Sequence, residues 1–267
     1  MRVDKQALRK RALLLADGGG KNIAATLVSE FQLSRQSANR HLTQLVEDGD
    51  LVPVGLTKAR TYHLAVKQEA SQSFPREGLS EDIAWRTVCA PVVKDLPENV
   101  RDIWHYGMTE MINNAIDHSG STDVRVAIRK TALYTLGWVV DAGEGIFLKI
   151  QRALDLFDPR ESILELAKGK LTTDPTNHTG EGIFFSSKLF DAYDIRSGNL
   201  HFIHDGGTQD FLFEHPKDAP GTLVFMKLAN DSTLKTNEVF FKFAAPDEFT
   251  FNKTVVPVRL AQYEGEK

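Results

Sequence analysis

The stretch 110–146 decides the fold: EMINNAIDHSG (110–120), STDVRVAIRK (121–130), TALYTLGWVV (131–140) and DAGEGI (141–146). Ile103, Gly107, Met108, Met111, Ile112 and Ala115 recur at helical spacing, which predicts a helix from near Pro97 to near His118 with one buried stripe. Glu110 and Asn114 sit four apart, so they occupy neighbouring points on one face beside that stripe. Val124, Val126 and Ile128 then alternate and 133–140 is largely apolar, which predicts a hairpin directly after the helix. The second strand ends at Asp141, just before Gly143 and Gly145. A carboxylate at a strand end can accept a hydrogen bond from an exocyclic amine, and glycines there let backbone approach a ligand. Each feature also has an ordinary reading, since a Glu and an Asn four apart are polar surface and an Asp-Ala-Gly run makes a turn.

Downstream, residues 147–179 form a long segment with its own helix start at Asp158-Pro159-Arg160-Glu161, where Asp158 caps and Glu161 completes a capping box. A segment of this kind behaves like a lid. It closes at Thr179-Gly180-Glu181-Gly182, which heads a helix over 183–191 whose free N–H groups suit phosphate oxygens. Strands are expected at 192–196, 200–204, 209–214 and 222–228, with turns at Gly198-Asn199, 205–207 and Pro220-Gly221. The pattern is α+β, a mixed or antiparallel sheet backed by helices. His201, His204 and His215 invite a metal reading, but an offset of three on a strand points side chains to opposite faces, so they read as sheet histidines. The extension 230–267 shows aromatic alternation at 239–243 and a strand at 255–258, with no nameable chemistry.

Upstream, residues 67–80 are polar and unpatterned and read as a linker, after which Ser80 caps a helix that Pro91 interrupts. Residues 1–66 carry ten Lys or Arg against six Asp or Glu, a balance of +4 that leaves −8 for the rest of a chain whose net charge is −4. Such asymmetry suggests different partners for the two parts. Helices are expected over 5–16, from Asn22 to about Phe31, and from Ser34 to Asp48, followed by strands at 51–54 and 60–64. On the third helix Ala38, Leu42, Leu45 and Val46 make the apolar face. Arg35, Gln36, Asn39, Arg40 and Thr43 make a polar face whose donors and acceptors suit base edges in a major groove, with Lys58 and Arg60 near phosphates. His41 lies near the apolar stripe and reads as packed. Gly18-Gly19-Gly20-Lys21 imitates the end of a phosphate-binding loop, but Leu15 and Asn22 occupy the positions where that loop needs Gly and Ser or Thr.

The 267 residues, 42% of them hydrophobic, suffice for a large domain or for a small and a medium one. No apolar run approaches the ~20 residues of a membrane helix, and no secretory signal is visible, which points to the cytoplasm. A single cysteine, Cys89, excludes an intrachain disulfide and reads as a packing thiol.

LSRQSANRHLTQLVEDGDLVPVG (33–55) resembles the recognition helix and wing of bacterial winged helix-turn-helix regulators. The ordered boxes Glu110 to Asn114-Ala115, Asp141-Ala-Gly143-Glu-Gly145, Gly180-Glu-Gly182 and Gly221-Thr222 resemble the GHKL superfamily of gyrase, heat-shock chaperone, histidine kinase and mismatch-repair ATPases. The two resemblances imply a winged helix at 1–66, a linker at 67–80, a Bergerat-type α/β sandwich with a mixed sheet at 81–229, and an extension at 230–267. They imply ATP and Mg²⁺ as ligands. Asn114 would hold Mg²⁺, Asp141 would accept the adenine amine, and Thr222 would bind the adenine side. Gly143 and Gly145 would admit the base, Gly180 and Gly182 would face phosphates, and Glu110 would be the general base. The implied function is an ATP-binding, ATP-hydrolysing regulator whose nucleotide state controls DNA binding, with a homodimer among the implied partners. Two alternatives stay open, a serine/threonine kinase of anti-sigma-factor type and a non-hydrolysing adaptor. Similar bacterial proteins continue into a STAS-like domain, so such a domain or protein is an expected partner.

Overall fold

The computed structural model describes residues 4–56, 60–167, 182–206, 210–243 and 258–262. The chain is mixed α+β and divides into two compact units, Met1–Glu69 with Arg129–Thr135, and Ala70–Ile128 with Leu136–Lys267.

In the smaller unit, α1 (Lys5–Asp17), α2 (Ile23–Phe31) and α3 (Arg35–Glu47) precede an antiparallel hairpin of β1 (Leu51–Val54) and β2 (Thr61–Leu64). Asp4 starts α1 by accepting the N–H groups of Gln6 and Ala7 at 2.8 and 3.2 Å. Ser34 starts α3 in the same way, its Oγ accepting from the Ser37 N–H at 3.1 Å. Asn22 does not cap α2 as expected. Its backbone is left-handed, whereas Asp4 and Ser34 hold the extended conformation from which a side chain can reach back to the first turn. Leu8, Leu13, Leu27, Leu42, Leu45 and Leu51 belong to one core, joined by Leu133 from 129–135. Asp50 is buried as well and is held by Arg9 Nη2 at 2.7 Å and Lys67 Nζ at 2.5 Å, partners that a desolvated carboxylate requires.

The expected linker over 67–80 is instead mostly strand, β3 (Gln68–Pro75). It lies at the sheet edge, where a single fully buried side chain, Phe74, leaves the rest of the run free to be polar. Pro91 does not stop the next helix: α4 (Glu81–Ala84) passes through a π turn (Trp85–Cys89) into α5 (Ala90–Val93), and the wider turn makes room for the proline ring. Cys89 is buried there, its thiol pushed up to about 12 by desolvation, in keeping with a packing role.

The helix α6 (Glu98–His118) buries the six expected stripe residues together with Val100 and Trp104. Gly107 sits in its interior because a Cβ there would strike the Phe190 ring and crowd Met226; close packing offsets the roughly 1 kcal/mol that glycine costs a helix. The predicted hairpin follows as β4 (Asp123–Lys130) and β5 (Tyr134–Asp141). Then come α7 (Ile146–Ala153), α8 (Glu161–Ala167), α9 (Gly182–Leu189), β6 (Ala192–His204), β7 (Asp210–Ala229), α10 (Thr236–Phe243) and β8 (Val258–Gln262). The sheet runs β3-β4-β5-β7-β6, with β7 antiparallel to β6 and parallel to β8, so it is mixed.

Three local readings change here. Gly198-Asn199 and Pro220-Gly221 do not reverse the chain; they fall at register shifts inside one long β6–β7 pair. The helix expected at Pro159 begins at Glu161, because the Asp158 carboxylate turns onto the Arg160 N–H and guanidinium at 2.8 and 2.9 Å. The aromatic run at 239–243 is helical, with Phe240 against Tyr106 and Phe185 at ring separations of 5.3 and 4.4 Å. Residues 236–243 therefore pack on the larger unit's core, and β8 extends its sheet. Of the expected strand at 255–258, residues 255–257 lie outside the described residues.

Candidate functional site

The second half of α6, the end of β5, the start of α7 and the Thr222 end of the β7 bulge border one solvent-open cleft. Asn114, Asp141 and Thr222 line it, with Met111, Ile195 and Val224 among its apolar lining. These polar groups are far apart in sequence, and the sheet brings them together.

Asp141 is only 7% exposed. It accepts the Gly143 N–H at 2.9 Å and hydrogen bonds from both the N–H and the hydroxyl of Thr222, whose Oγ1 in turn accepts the Ile146 N–H at 3.0 Å. Burial nevertheless outweighs these donors and holds the Asp141 carboxyl above its ordinary range. A carboxylate has about four acceptor positions, and three donors leave capacity for one more arriving from the cleft.

The glycines bring backbone close at the same place. A Cβ on Gly143 would run into the Ser119 carbonyl, which accepts the Glu144 N–H at 3.2 Å. Gly145 has φ +90°, and a Cβ there would meet Ser197 Oγ at 2.5 Å and the Gly221 carbonyl at 3.3 Å. The turn after β5 thus lies between the end of α6 and the bulge of β7. Gly182 heads α9 directly against Glu110, whose carboxylate fills the space a Cβ would need. Gly180 lies outside the described residues. Beside Glu110, the phenol of Tyr193 is raised well above its ordinary range, first by burial and then by Tyr106 and Glu110; it stays neutral and donates to Met111 Sδ at 2.9 Å.

Residue-by-residue reading missed Lys149. It lines the cleft, one helical turn after Gly145, and its Nζ donates to the His118 carbonyl at 2.6 Å. Nothing in the sequence distinguishes it from a solvated lysine, since its role depends on where α6 ends.

ATP and Mg²⁺ fit these donors in kind. The cleft offers an acceptor with spare capacity, an amide oxygen at Asn114 and a cation at Lys149. Mg²⁺ is commonly bound by one or two protein oxygens with phosphate and water completing its shell.

In the smaller unit, Arg35, Gln36, Asn39, Arg40 and Thr43 are all exposed along one face of α3, while Ala38, Leu42 and Leu45 are buried on the other. His41 is half-buried, and burial lowers its pKa. Lys58 lies outside the described residues. Among the described residues no group of three or more His, Cys, Asp or Glu is placed to hold a metal. The three sheet histidines have other neighbours: His201 stacks on His215 at 5.6 Å, and His204 bonds Asp210. No described helix is long and apolar enough to cross a membrane.

No protein-family model matches this chain, and no curated protein matches it.

Proposed function

We propose that the larger unit is a Bergerat-type, GHKL-like ATP-binding domain, that the smaller unit is a DNA-binding winged helix, and that nucleotide state in the first controls the second. The observation that carries this reading is the convergence of Asn114, Asp141 and Thr222 on one cleft, with Glu110 against the head of α9. Asp141 accepts the adenine amine, supported by Thr222, and Gly143 and Gly145 let the base approach backbone. Asn114 would hold Mg²⁺ through its amide oxygen, and the ion would supply charge neutralisation at the phosphates. Glu110, beside the N-terminus of α9, orients a water and takes its proton as that water attacks the γ-phosphorus; the bond to the bridging oxygen breaks, leaving ADP and inorganic phosphate. Arg35, Gln36, Asn39 and Arg40, on the exposed face of α3, are the residues that read base edges in a major groove.

The test is calorimetric titration of the full chain with ATP and Mg²⁺, then incubation with γ-labelled ATP. Saturable binding with release of free labelled phosphate is expected. Absence of binding overturns the site, and label on a seryl group of a STAS-like protein would redirect the reading to a protein kinase.

A further inference from the structure

Another cavity lies within the larger unit, enclosed by α8, α9 and the β6–β7 pair. Ile163 and Leu166 of α8, Phe184 of α9 and Phe202 of β6 give it apolar walls, and Lys188 and Asp210 give it a cation and a carboxylate. It shares Ile183 and Ile195 with the cleft described above but none of the cleft's polar residues, so it is a separate site. Ser187 also lines it, yet its hydroxyl is spent on the Phe184 carbonyl at 2.7 Å.

His204 ends β6, Asp210 opens β7, and the two face each other in the strand register, which brings His204 Nδ1 onto Asp210 Oδ1. An ionised carboxylate only accepts hydrogen bonds, so Nδ1 carries the proton. Lys188 Nζ lies 3.3 Å from that same nitrogen, but a ring nitrogen that donates has no lone pair with which to accept. The other carboxylate oxygen, Asp210 Oδ2, stands 3.6 Å from Lys188 Nζ, an ion pair rather than a hydrogen bond. The Phe184 ring, its centroid 5.8 Å from Nζ, attracts the charge without supplying an acceptor. Lys188 thus keeps its donors, and Asp210 Oδ2 its lone pairs, on side chains that are only 14% and 3% exposed. Burial lowers the Lys188 pKa although Asp210 opposes the shift, as expected of an ammonium that has lost water without gaining full hydrogen bonding.

Charge balance selects what can satisfy both groups. An anion alone brings a second negative charge beside buried Asp210, and an amine alone brings a second positive charge beside Lys188; either leaves a charge out of water and uncompensated. A zwitterion adds no net charge. In an α-amino acid one carbon carries both the carboxylate and the ammonium, so the two can meet Lys188 Nζ and Asp210 Oδ2 together while the side chain faces the apolar walls. We propose that this cavity binds a small apolar α-amino acid, with its carboxylate on Lys188, its ammonium on Asp210 Oδ2 and its side chain against Ile163, Leu166 and Phe202. The site is independent of the nucleotide and DNA reading, since no polar lining residue is common to the two.

The experiment titrates the full chain with L-valine by calorimetry and compares three analogues: L-alanine, isovalerate, which lacks the ammonium of valine, and isobutylamine, which lacks its carboxylate. Saturable L-valine binding is expected, with both one-charge analogues at least about 10-fold weaker, the effect of losing one charged hydrogen bond. L-Alanine, two carbons shorter, is expected to bind roughly 10-fold more weakly because it buries less apolar surface. Lys188→Met should reduce L-valine affinity by about 10-fold or more, and Asp210→Asn should bring L-valine and isovalerate to similar affinities. Absence of L-valine binding overturns the proposal, and so does equal binding of L-valine, isovalerate and isobutylamine. A folded Lys188→Met protein with wild-type affinity for L-valine does the same. Should that variant not fold, the wild-type series decides alone, because it compares ligands and not proteins.

Discussion

The two units place their polar residues in opposite ways. On α3 of the smaller unit the candidate contacts are exposed on one side of a helix whose other side is buried, so four neighbouring residues suffice to define a surface. In the larger unit the candidate groups come from α6, β5, β7 and α9, and the most important of them, Asp141, is buried. A surface that must meet a long, charged partner has to be exposed, whereas a pocket that must tell one small molecule from another works by desolvating a few groups. The same contrast appears in how each unit uses a buried carboxylate. Asp50 is neutralised by two cations, and Asp141 is surrounded by neutral donors that leave it short of stabilisation.

The sharpest way to break this comparison is at Glu110. Glu110→Gln is expected to slow phosphate release by roughly 10²–10⁴ while leaving ATP affinity nearly unchanged, since only the proton-accepting charge is lost. Wild-type turnover in that variant would remove Glu110 from the chemistry.

Asp141→Ala comes next, with about 1.5–3 kcal/mol of ATP affinity expected to disappear, the scale of a hydrogen bond to a charged group. Its pH dependence follows from the raised pKa. Lowering the pH through that value protonates Asp141 in the free protein and abolishes an acceptor that the amine needs, so affinity falls on acidification. The stability effect has the opposite sign: with the folded pKa above the unfolded one, the folded state binds more protons, and Asp141 destabilises the fold as pH rises through the interval between the two. Comparing wild type with Asp141→Asn from pH 7 downward isolates both trends, and identical profiles would exclude the residue.

Asp50→Ala should act on the other unit alone. Its partners Arg9 and Lys67 keep 45% and 34% exposure, so they rehydrate in part, and a loss of about 1–3 kcal/mol is expected in the melting of the smaller unit with ATP affinity unchanged. The smallest expected effect is at Arg40. Arg40→Ala should weaken binding to random duplex modestly and, if Arg40 meets a phosphate, lower the slope of log affinity against log salt by about one. An unaltered slope and affinity would move the DNA surface away from α3.

Legibility followed the range of the interactions. The stripe on α6, the cap at Ser34 and the alternation in β4 are set by neighbours within one or two turns, and all could be read directly. β3 could not, because an edge strand needs only one buried side chain and its polar run looks like a linker until a partner strand lies beside it. Asn22 failed as a cap because its own backbone is left-handed, which takes its side chain away from the first turn, and Pro91 failed as a stop because the π turn gives it room.

By itself, the sequence determined which residue types sit at which spacing on each element, and hence the α+β class, the apolar stripes and the order of the polar boxes. Only the tertiary structure decided that Asn114, Asp141 and Thr222 line one cleft, that Lys149 joins them, and that Leu133 belongs to the core of the other unit. The reason is physical: periodicity is enforced by local backbone geometry, while convergence depends on strand order and packing among segments a hundred residues apart, which no local pattern encodes.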